Sequence, residues 1–150
     1  MKAIAFKGSK SGFDWVVVEG SDRIAASIRI REKATAPTDV REKELFWISK
    51  EVRYLLSTYT PDSAAILEIG GGNLNGSIVA RIEVDGVIRS TLGEVAVPTA
   101  SIKKVSLPKH FGVKSADYQP LLATLGSINS TAQTHKDLVA LALSQLPATP

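Results

Sequence analysis

Hydrophobic and polar positions alternate along the first 35 residues, and turn-forming residues separate the alternating stretches. The apolar stretches 2–6 and 13–20 flank the turn-forming sequence GSKSG at 8–12. A third alternating stretch follows a Ser-Asp turn and ends near Thr35. Short stretches rich in β-branched and aromatic residues, joined by tight turns, predict three strands in an antiparallel meander.

Beyond this meander, helical patterns alternate with single apolar strands. Apolar residues at helical spacing predict an amphipathic helix over 40–58, and the unbroken apolar run 63–69 predicts a buried central strand. The pattern of 75–94 favours a helix, and 95–102 predicts a fifth strand. The sequence then predicts a helix around 116–125, a polar loop at about 127–134, a buried helix at 137–146 and a frayed tail at 147–150.

The order of these elements, βββ-α-β-α-β-(α)-α, predicts one α/β domain over residues 1–150. We expect a mixed five-stranded sheet whose first three strands are antiparallel, with helices on both faces.

The composition excludes several classes of protein. The chain has 150 residues, of which 44% are apolar, enough for one domain with a hydrophobic core. The absence of cysteine excludes disulfide frameworks, thiol catalysis and cysteine-ligated metal sites. The net charge of +3 permits a nucleic-acid partner without requiring one. No segment has the pattern of a membrane span, so the expected location is the cytoplasm.

A glycine cluster follows the central strand in the sequence LEIGGGN. It is similar to the first motif of S-adenosylmethionine-dependent methyltransferases, in which an acidic residue precedes a glycine-rich turn. Leu74 stands where that motif has a further glycine, and three strands precede the cluster, although that fold normally begins near its motif. A dinucleotide-binding G-x-G-x-x-G also fails, because Asn75 occupies the third glycine position. A flexible strand-to-helix turn accounts for the glycines, and a methyltransferase is kept as an outside alternative.

Two carboxylates occupy positions at which α/β folds build active sites. Glu68 ends the central strand, and Asp137 begins the last apolar helix. A buried strand end is an unfavourable place for an unpaired carboxylate, and open sheets bind ligands at the carboxyl ends of their strands. Brought together, the two side chains could hold magnesium or manganese, which prefer oxygen ligands. The structural alternative is that Asp137 stabilises the helix dipole and that Glu68 pairs with a lysine.

Three segments and the order of the elements resemble the RuvC-type Holliday junction resolvases of the RNase H-like superfamily. The segments are PDSAAILEIGGGN, VAVPTASIKKVSLPKHFG and THKDLVALAL. The resemblance extends from Ala3 to about Leu146 and rests on order and spacing. It implies an RNase H-like fold and a Mg²⁺- or Mn²⁺-dependent, structure-selective endonuclease that acts as a homodimer on branched DNA. Among the family's four metal-binding positions, Glu68 matches the one that ends the fourth strand, and Asp137 matches the last.

The other two metal-binding positions lack a carboxylate in this chain. The first-strand Asp of the family falls on Phe6-Lys7-Gly8, and the earlier acidic position of the last helix falls on Thr134. Asp14 could supply a migrated carboxylate if the GSKSG turn centres on Lys10. Phe6 would then pair with Asp14, and both side chains would point to the same face. A register slip of one residue would turn Asp14 away.

The candidate site residues follow from these matches. The catalytic candidates are Glu68, Asp137 and Asp14, and the candidate metal ligands are Glu68, Asp137 and His135. Basic residues of the first turn and of the segment around the end of the fifth strand are candidates for binding DNA phosphates without reading sequence. These are Lys7, Lys10, Lys103, Lys104, Lys109 and Lys114. Two hypotheses stay open: an active endonuclease, and a nucleic-acid or protein binding module of the same fold that does not cleave.

Overall fold

The strands of the chain form one mixed sheet. The computed structural model describes residues 1–69, 75–129, 131 and 135–148. Its strands are β1 (Lys2–Gly8), β2 (Gly12–Glu19), β3 (Ser27–Thr35), β4 (Ser63–Glu68) and β5 (Thr99–Lys103). They lie in the order β3-β2-β1-β4-β5; β1–β2 and β2–β3 are antiparallel, whereas β1–β4 and β4–β5 are parallel. The predicted five-stranded sheet with three antiparallel first strands is confirmed.

Helices cover both faces of this sheet. They are α1 (Arg41–Tyr59), α2 (Gly76–Val95), α3 (Leu107–His110), α4 (Ser115–Leu122), α5 (Gly126–Asn129) and α6 (Lys136–Leu143), and a 3₁₀ turn at Lys104–Ser106 precedes α3. Helices α1 and α2 pack on one face, and α6 packs on the other with α4 and α5 beside it. None of the helices within the described ranges is long and apolar enough to cross a membrane.

Strand alternation sends neighbouring residues to two separate cores. Ile4, Phe6 and Ile66 pack against α1 and α2, whereas Ala5 packs against α6 on the other face. Residues 138–143 of α6 are all buried, which confirms the predicted buried helix. The same alternation decides on which face each charged residue near a strand end lies.

Some element boundaries differ from the predicted ones. β5 begins at Thr99 rather than at residue 95, because α2 continues to Val95 and ends at Ala96 in the left-handed conformation, with φ of 63°. The first part of the predicted polar loop is helical, as α5, whereas residue 130 and residues 132–134 lie outside the described residues. In the predicted tail, the carbonyl of Pro147 accepts a hydrogen bond from the Arg23 amide at 3.0 Å.

Gly12 fixes the register in which β1 and β2 pair. The Ser9 amide donates a hydrogen bond to the Gly12 carbonyl at 2.9 Å, and Gly8 pairs with Phe13 across the turn. A Cβ on Gly12 would lie 1.9 Å from the carbonyl oxygen of Ala34 in β3. Only glycine permits this close approach, so its position determines where β2 starts and which way its side chains point.

Candidate nucleic-acid interface

Three charged residues stand in a row across the sheet. Lys7 of β1 lies opposite Asp14 of β2, and Asp14 lies opposite Lys33 of β3. Directly paired residues share a face, and here that face is the one covered by α6. A pocket of about 280 Å³ opens between this row and the start of α6, and it is lined by Lys7, Asp14, Lys33, His135, Asp137 and Leu138. We call this cavity the Lys7 pocket.

Asp14 reaches this pocket through a register different from the predicted one. The prediction that Phe6 pairs with Asp14 is wrong, because Asp14 pairs with Lys7. Phe6 points into the opposite core, where its ring packs edge-to-face against Phe13 with centroids 5.6 Å apart. The turn that closes at Gly12 shifts the pairing by one residue, and a shift of one residue exchanges the two faces.

Asp137 is held in place by a lysine. It lies in the first turn of α6, and its Oδ2 is 3.2 Å from Nζ of Lys104, which follows β5 directly. A carboxylate in the first turn also interacts favourably with the helix dipole. His135 precedes the helix, and its side chain makes no capping hydrogen bond there. Asp137 therefore has both stabilising interactions that a purely structural role would need.

Glu68 lies on the opposite face of the sheet from Asp137. It continues the alternation of Ala64 and Ile66, which face α1 and α2. Its Oε1 is 3.8 Å from a guanidinium nitrogen of Arg89 in α2. The Nε of Arg89 also donates to a carboxylate oxygen of Asp85 at 2.8 Å. The structure therefore brings Asp14, His135 and Asp137 together and leaves Glu68 in a separate ion-pair cluster.

The described residues do not fit a two-metal carboxylate site. Among them, no group of three or more His, Cys, Asp or Glu side chains is arranged to hold a metal ion. The residues outside the described part are Gly, Asn, Leu, Ser, Ala, Gln, Thr and Pro, so they add no carboxylate or imidazole side chain. A two-metal centre needs oxygen ligands converging from several elements. Here Lys7 and Lys33 stand on either side of Asp14 instead.

A second depression adjoins the Lys7 pocket at Asp137. Its volume is about 280 Å³, and its lining includes Lys104, Val105 and Gln119. Tyr118 also lines it, and the buried hydroxyl of this residue has no hydrogen-bond partner among the described residues. Burial and the negative charge of Asp137 raise the pKa of the Tyr118 hydroxyl. This phenol therefore stays neutral to a higher pH than an exposed tyrosine does.

The fold matches solved structures of junction-resolving enzymes over almost the whole chain. Thermus thermophilus RuvC matches 96% of this chain and 92% of its own, with a TM-score of 0.74 and 16% identity. T. thermophilus RuvC in complex with a Holliday junction substrate matches the same shares, with a TM-score of 0.76 and 15% identity. The yeast mitochondrial Holliday junction resolvase Ydc2 matches 94% of this chain and 74% of its own, with a TM-score of 0.61 and 8% identity. The chain has the RuvC fold. No protein-family model and no curated protein matches it.

Within this RuvC fold, the predicted basic residues are distributed over several elements. Lys7 is half-buried in its pocket, and the other five are exposed: Lys10, Lys103, Lys104, Lys109 and Lys114. Lys104 joins the two depressions through its contact with Asp137. Lys103 lies opposite Glu68 and follows Ile102, whose side chain packs in the core under α6, so Lys103 points to the other face. Lys7 and Lys104 are thus the predicted basic residues that line the two depressions.

Sequence reasoning missed Lys33 and Tyr118 in this RuvC fold. Lys33 reaches the pocket because a β-bulge lies between Val17 and Val18. Without the bulge, the register in which Val18 pairs with Ile28 would continue along the strands. Glu32, instead of Lys33, would then lie opposite Asp14. No sequence pattern marks that bulge. Tyr118 lies in a predicted helix, but its nearness to Asp137 depends on how α4 packs beside α6.

Proposed function

We propose that this chain is a RuvC-fold protein that binds branched DNA without cutting it. Support for the partner comes from the fold, which matches a RuvC structure solved with a Holliday junction substrate. The single observation that carries the loss of cleavage is Lys7 in the pocket beside Asp14 and Asp137. A cytoplasmic location, expected from the sequence, agrees with a DNA partner.

The argument against cleavage is electrostatic. Paired metal ions stabilise the attacking and leaving oxygens of a phosphodiester, and their ligands are mostly carboxylates. A lysine ammonium in the ligand position has the same sign of charge as the metal ion and repels it at short range. Because Glu68 ion-pairs with Arg89 on the other face, it does not compensate for that repulsion.

A Mg²⁺- or Mn²⁺-dependent endonuclease is the second candidate. The observation in its favour is that Asp14, His135 and Asp137 line one pocket from β2 and from α6. These three residues would hold the ion if Lys7 moved aside, and the ion would then supply a polarised water for hydrolysis. The two candidates differ in their response to manganese. Only the endonuclease would be stabilised by manganese and would cut DNA in its presence.

We further propose that the protein forms a homodimer through the outer face of α1 and α2. A four-way junction has two-fold symmetry, which a two-fold dimer matches. Phe46 is 65% exposed there beside a groove of about 540 Å³ between the two helices. Gly86 of α2 lines that groove, and nothing lies within 4 Å of the Cβ position of this glycine. This face lies on the opposite side of the sheet from the Lys7 pocket. The Lys7 pockets of both protomers therefore stay accessible in the dimer.

Sedimentation measurements test the dimer. We expect the wild-type chain to sediment as a dimer and Phe46→Glu to sediment as a monomer, because a charge in an apolar contact is strongly unfavourable. Val105→Glu is the matched control: Val105 is 82% exposed but lies on the other side of the molecule. A monomeric wild-type chain, or a dimeric Phe46→Glu variant, would contradict the proposed interface.

A competition experiment tests the choice of DNA. A fluorescent four-way junction is bound in EDTA, and unlabelled junction or a linear duplex of equal length is added as competitor. The proposal expects the junction to compete far better than the duplex. Lys104→Ala should weaken junction binding, because it removes a phosphate contact at the edge of the pocket. Lys43→Ala on α1 is the control for loss of one surface charge, and its sedimentation is measured as well, because α1 belongs to the proposed dimer face. Equal competition by duplex and junction would reject structure-selective binding.

A further inference from the structure

Several ionisable side chains of the Lys7 pocket have no partner in the part of the chain that the structure describes. Among the described residues, no hydrogen bond and no ion pair within 4.0 Å involves the side chains of Lys7, Asp14, Lys33 or His135. Lys7 is half-buried in the wall of this pocket. A lysine ammonium offers three hydrogen-bond donors, so one without a partner is available to bind an anion.

The charge balance of the pocket is positive. The charge of Asp137 is balanced by Lys104 at 3.2 Å. Two ammonium groups, from Lys7 and Lys33, then stand against the one carboxylate of Asp14. The start of α6 also opens towards this pocket, and a helix N-terminus favours an anion. The arrangement is therefore suited to an anion rather than to a cation.

We propose that the Lys7 pocket binds one phosphate group directly, without a metal ion. The ammonium groups of Lys7 and Lys33 supply the positive charge that divalent ions supply in a metal-dependent nuclease. Asp14 lies between the two ammoniums and reduces their mutual repulsion, and His135 in the lining offers a hydrogen-bond donor. On the basis of the proposed function, the phosphate belongs to the backbone of a DNA strand that crosses the start of α6.

A purely structural explanation makes a different prediction for Asp14. If the row Lys7–Asp14–Lys33 only stabilises the sheet, replacing Asp14 by Asn removes attraction between strands and creates no phosphate affinity. In a phosphate site, the same replacement removes the negative charge that lies between the two ammonium groups and repels the phosphate. Asp14→Asn then strengthens phosphate binding. In a metal site, Asp14→Asn would remove a ligand and weaken manganese binding. One variant therefore separates the three explanations.

The experiment is a titration of the ¹⁵N-labelled protein with sodium phosphate in EDTA, at ionic strength held constant with sodium chloride. Amide shifts should change around Lys7, Asp14 and Lys33 and at the start of α6. Lys7→Ala should weaken phosphate binding about tenfold, as expected for loss of a charged hydrogen bond. Asp14→Asn should strengthen it. Lys43→Ala, with an exposed lysine on the other face, should leave it unchanged.

Parallel titrations with the four-way junction, one in EDTA and one in magnesium, separate this inference from the proposed function. Junction binding that Lys7→Ala weakens, together with phosphate shifts in the pocket, supports both. Phosphate shifts without junction binding keep the pocket but reject DNA as the source of the phosphate. Junction binding that needs magnesium, or that Lys7→Ala leaves unchanged, overturns the inference and leaves branched-DNA binding intact. Absence of phosphate shifts in the wild-type protein overturns it too.

Discussion

Replacing Lys7 by Asp should turn the pocket from an anion site into a cation site. The variant would place carboxylates from β1, β2 and α6 around one cavity, because Lys7, Asp14 and Asp137 line it together. Three converging carboxylates are suitable ligands for manganese. In EDTA we expect Lys7→Asp to be less stable than wild type by about 1 kcal/mol or less, since like charges would then face each other across β1 and β2.

Manganese should reverse that loss in the variant alone. At a free Mn²⁺ concentration of a hundred times the dissociation constant, binding stabilises the folded state by about 2.7 kcal/mol. For a chain of this size, that corresponds to a rise in Tm of about 5–10 °C. Differential scanning fluorimetry with Mn²⁺ and with EDTA measures it. The wild-type protein should show no such rise.

Two control variants make the result specific. Lys7→Ala removes the ammonium without adding a ligand, so its rise in Tm should be smaller than that of Lys7→Asp. Lys43→Asp adds a carboxylate on the far face and should not respond to manganese. An equal rise in Tm for wild type and Lys7→Asp would refute the argument that Lys7 keeps metal ions out. A folded Lys7→Asp variant without any rise would refute the argument that the three side chains converge.

Three further predictions concern positions around the site. Glu68→Ala should leave junction binding and the response to manganese unchanged, because Glu68 lies on the opposite face of the sheet. It should lower the free energy of unfolding in urea by about 1 kcal/mol or less, because the ion pair with Arg89 is partly exposed and spans 3.8 Å. Tyr118→Phe should raise stability by about 1 kcal/mol, because it removes a buried hydroxyl without a partner. The pKa of Tyr118 is raised in the folded state, so wild type should lose stability relative to Tyr118→Phe as the pH rises above about 10, whereas a constant difference would contradict this. Leu141→Ala should cost about 2–5 kcal/mol in the same denaturation assay, because Leu141 is fully buried in α6; a cost near zero would contradict the packing of this helix.

The order and type of the elements were predictable because they depend on local periodicity. The alternation in the first 35 residues and the helical spacing over 40–58 are both set by nearest neighbours along the chain. The helix at 75–94 was correctly predicted, although two of the residues that suggested it, Val79 and Ile82, are exposed. Its buried stripe includes Val84, which had counted against a helix, together with Ile88 and Leu92. The resemblance to RuvC-type resolvases likewise rested on order and spacing, which the fold comparison reproduces.

Which residues lie together in the site was less predictable, because this depends on strand register. The turn closed by Gly12 places Asp14 opposite Lys7 rather than Phe6. The central strand is apolar without alternation, so its sequence does not reveal which face Glu68 occupies. A difference of one residue in either strand exchanges the faces. The sequence therefore grouped Glu68 with Asp137, whereas the structure places these two side chains on opposite faces of the sheet.

The most direct test of the central claim is the fate of a bound junction in the presence of manganese. A four-way junction labelled on each strand in turn is incubated with the wild-type protein at a concentration at which a native gel shows every junction bound. The strands are then separated on a denaturing gel, with EDTA and a linear duplex as controls. We predict intact strands in both manganese and EDTA. Manganese-dependent cuts in the junction strands would contradict the account, and they would make Asp14, His135 and Asp137 the ligands of a working metal site.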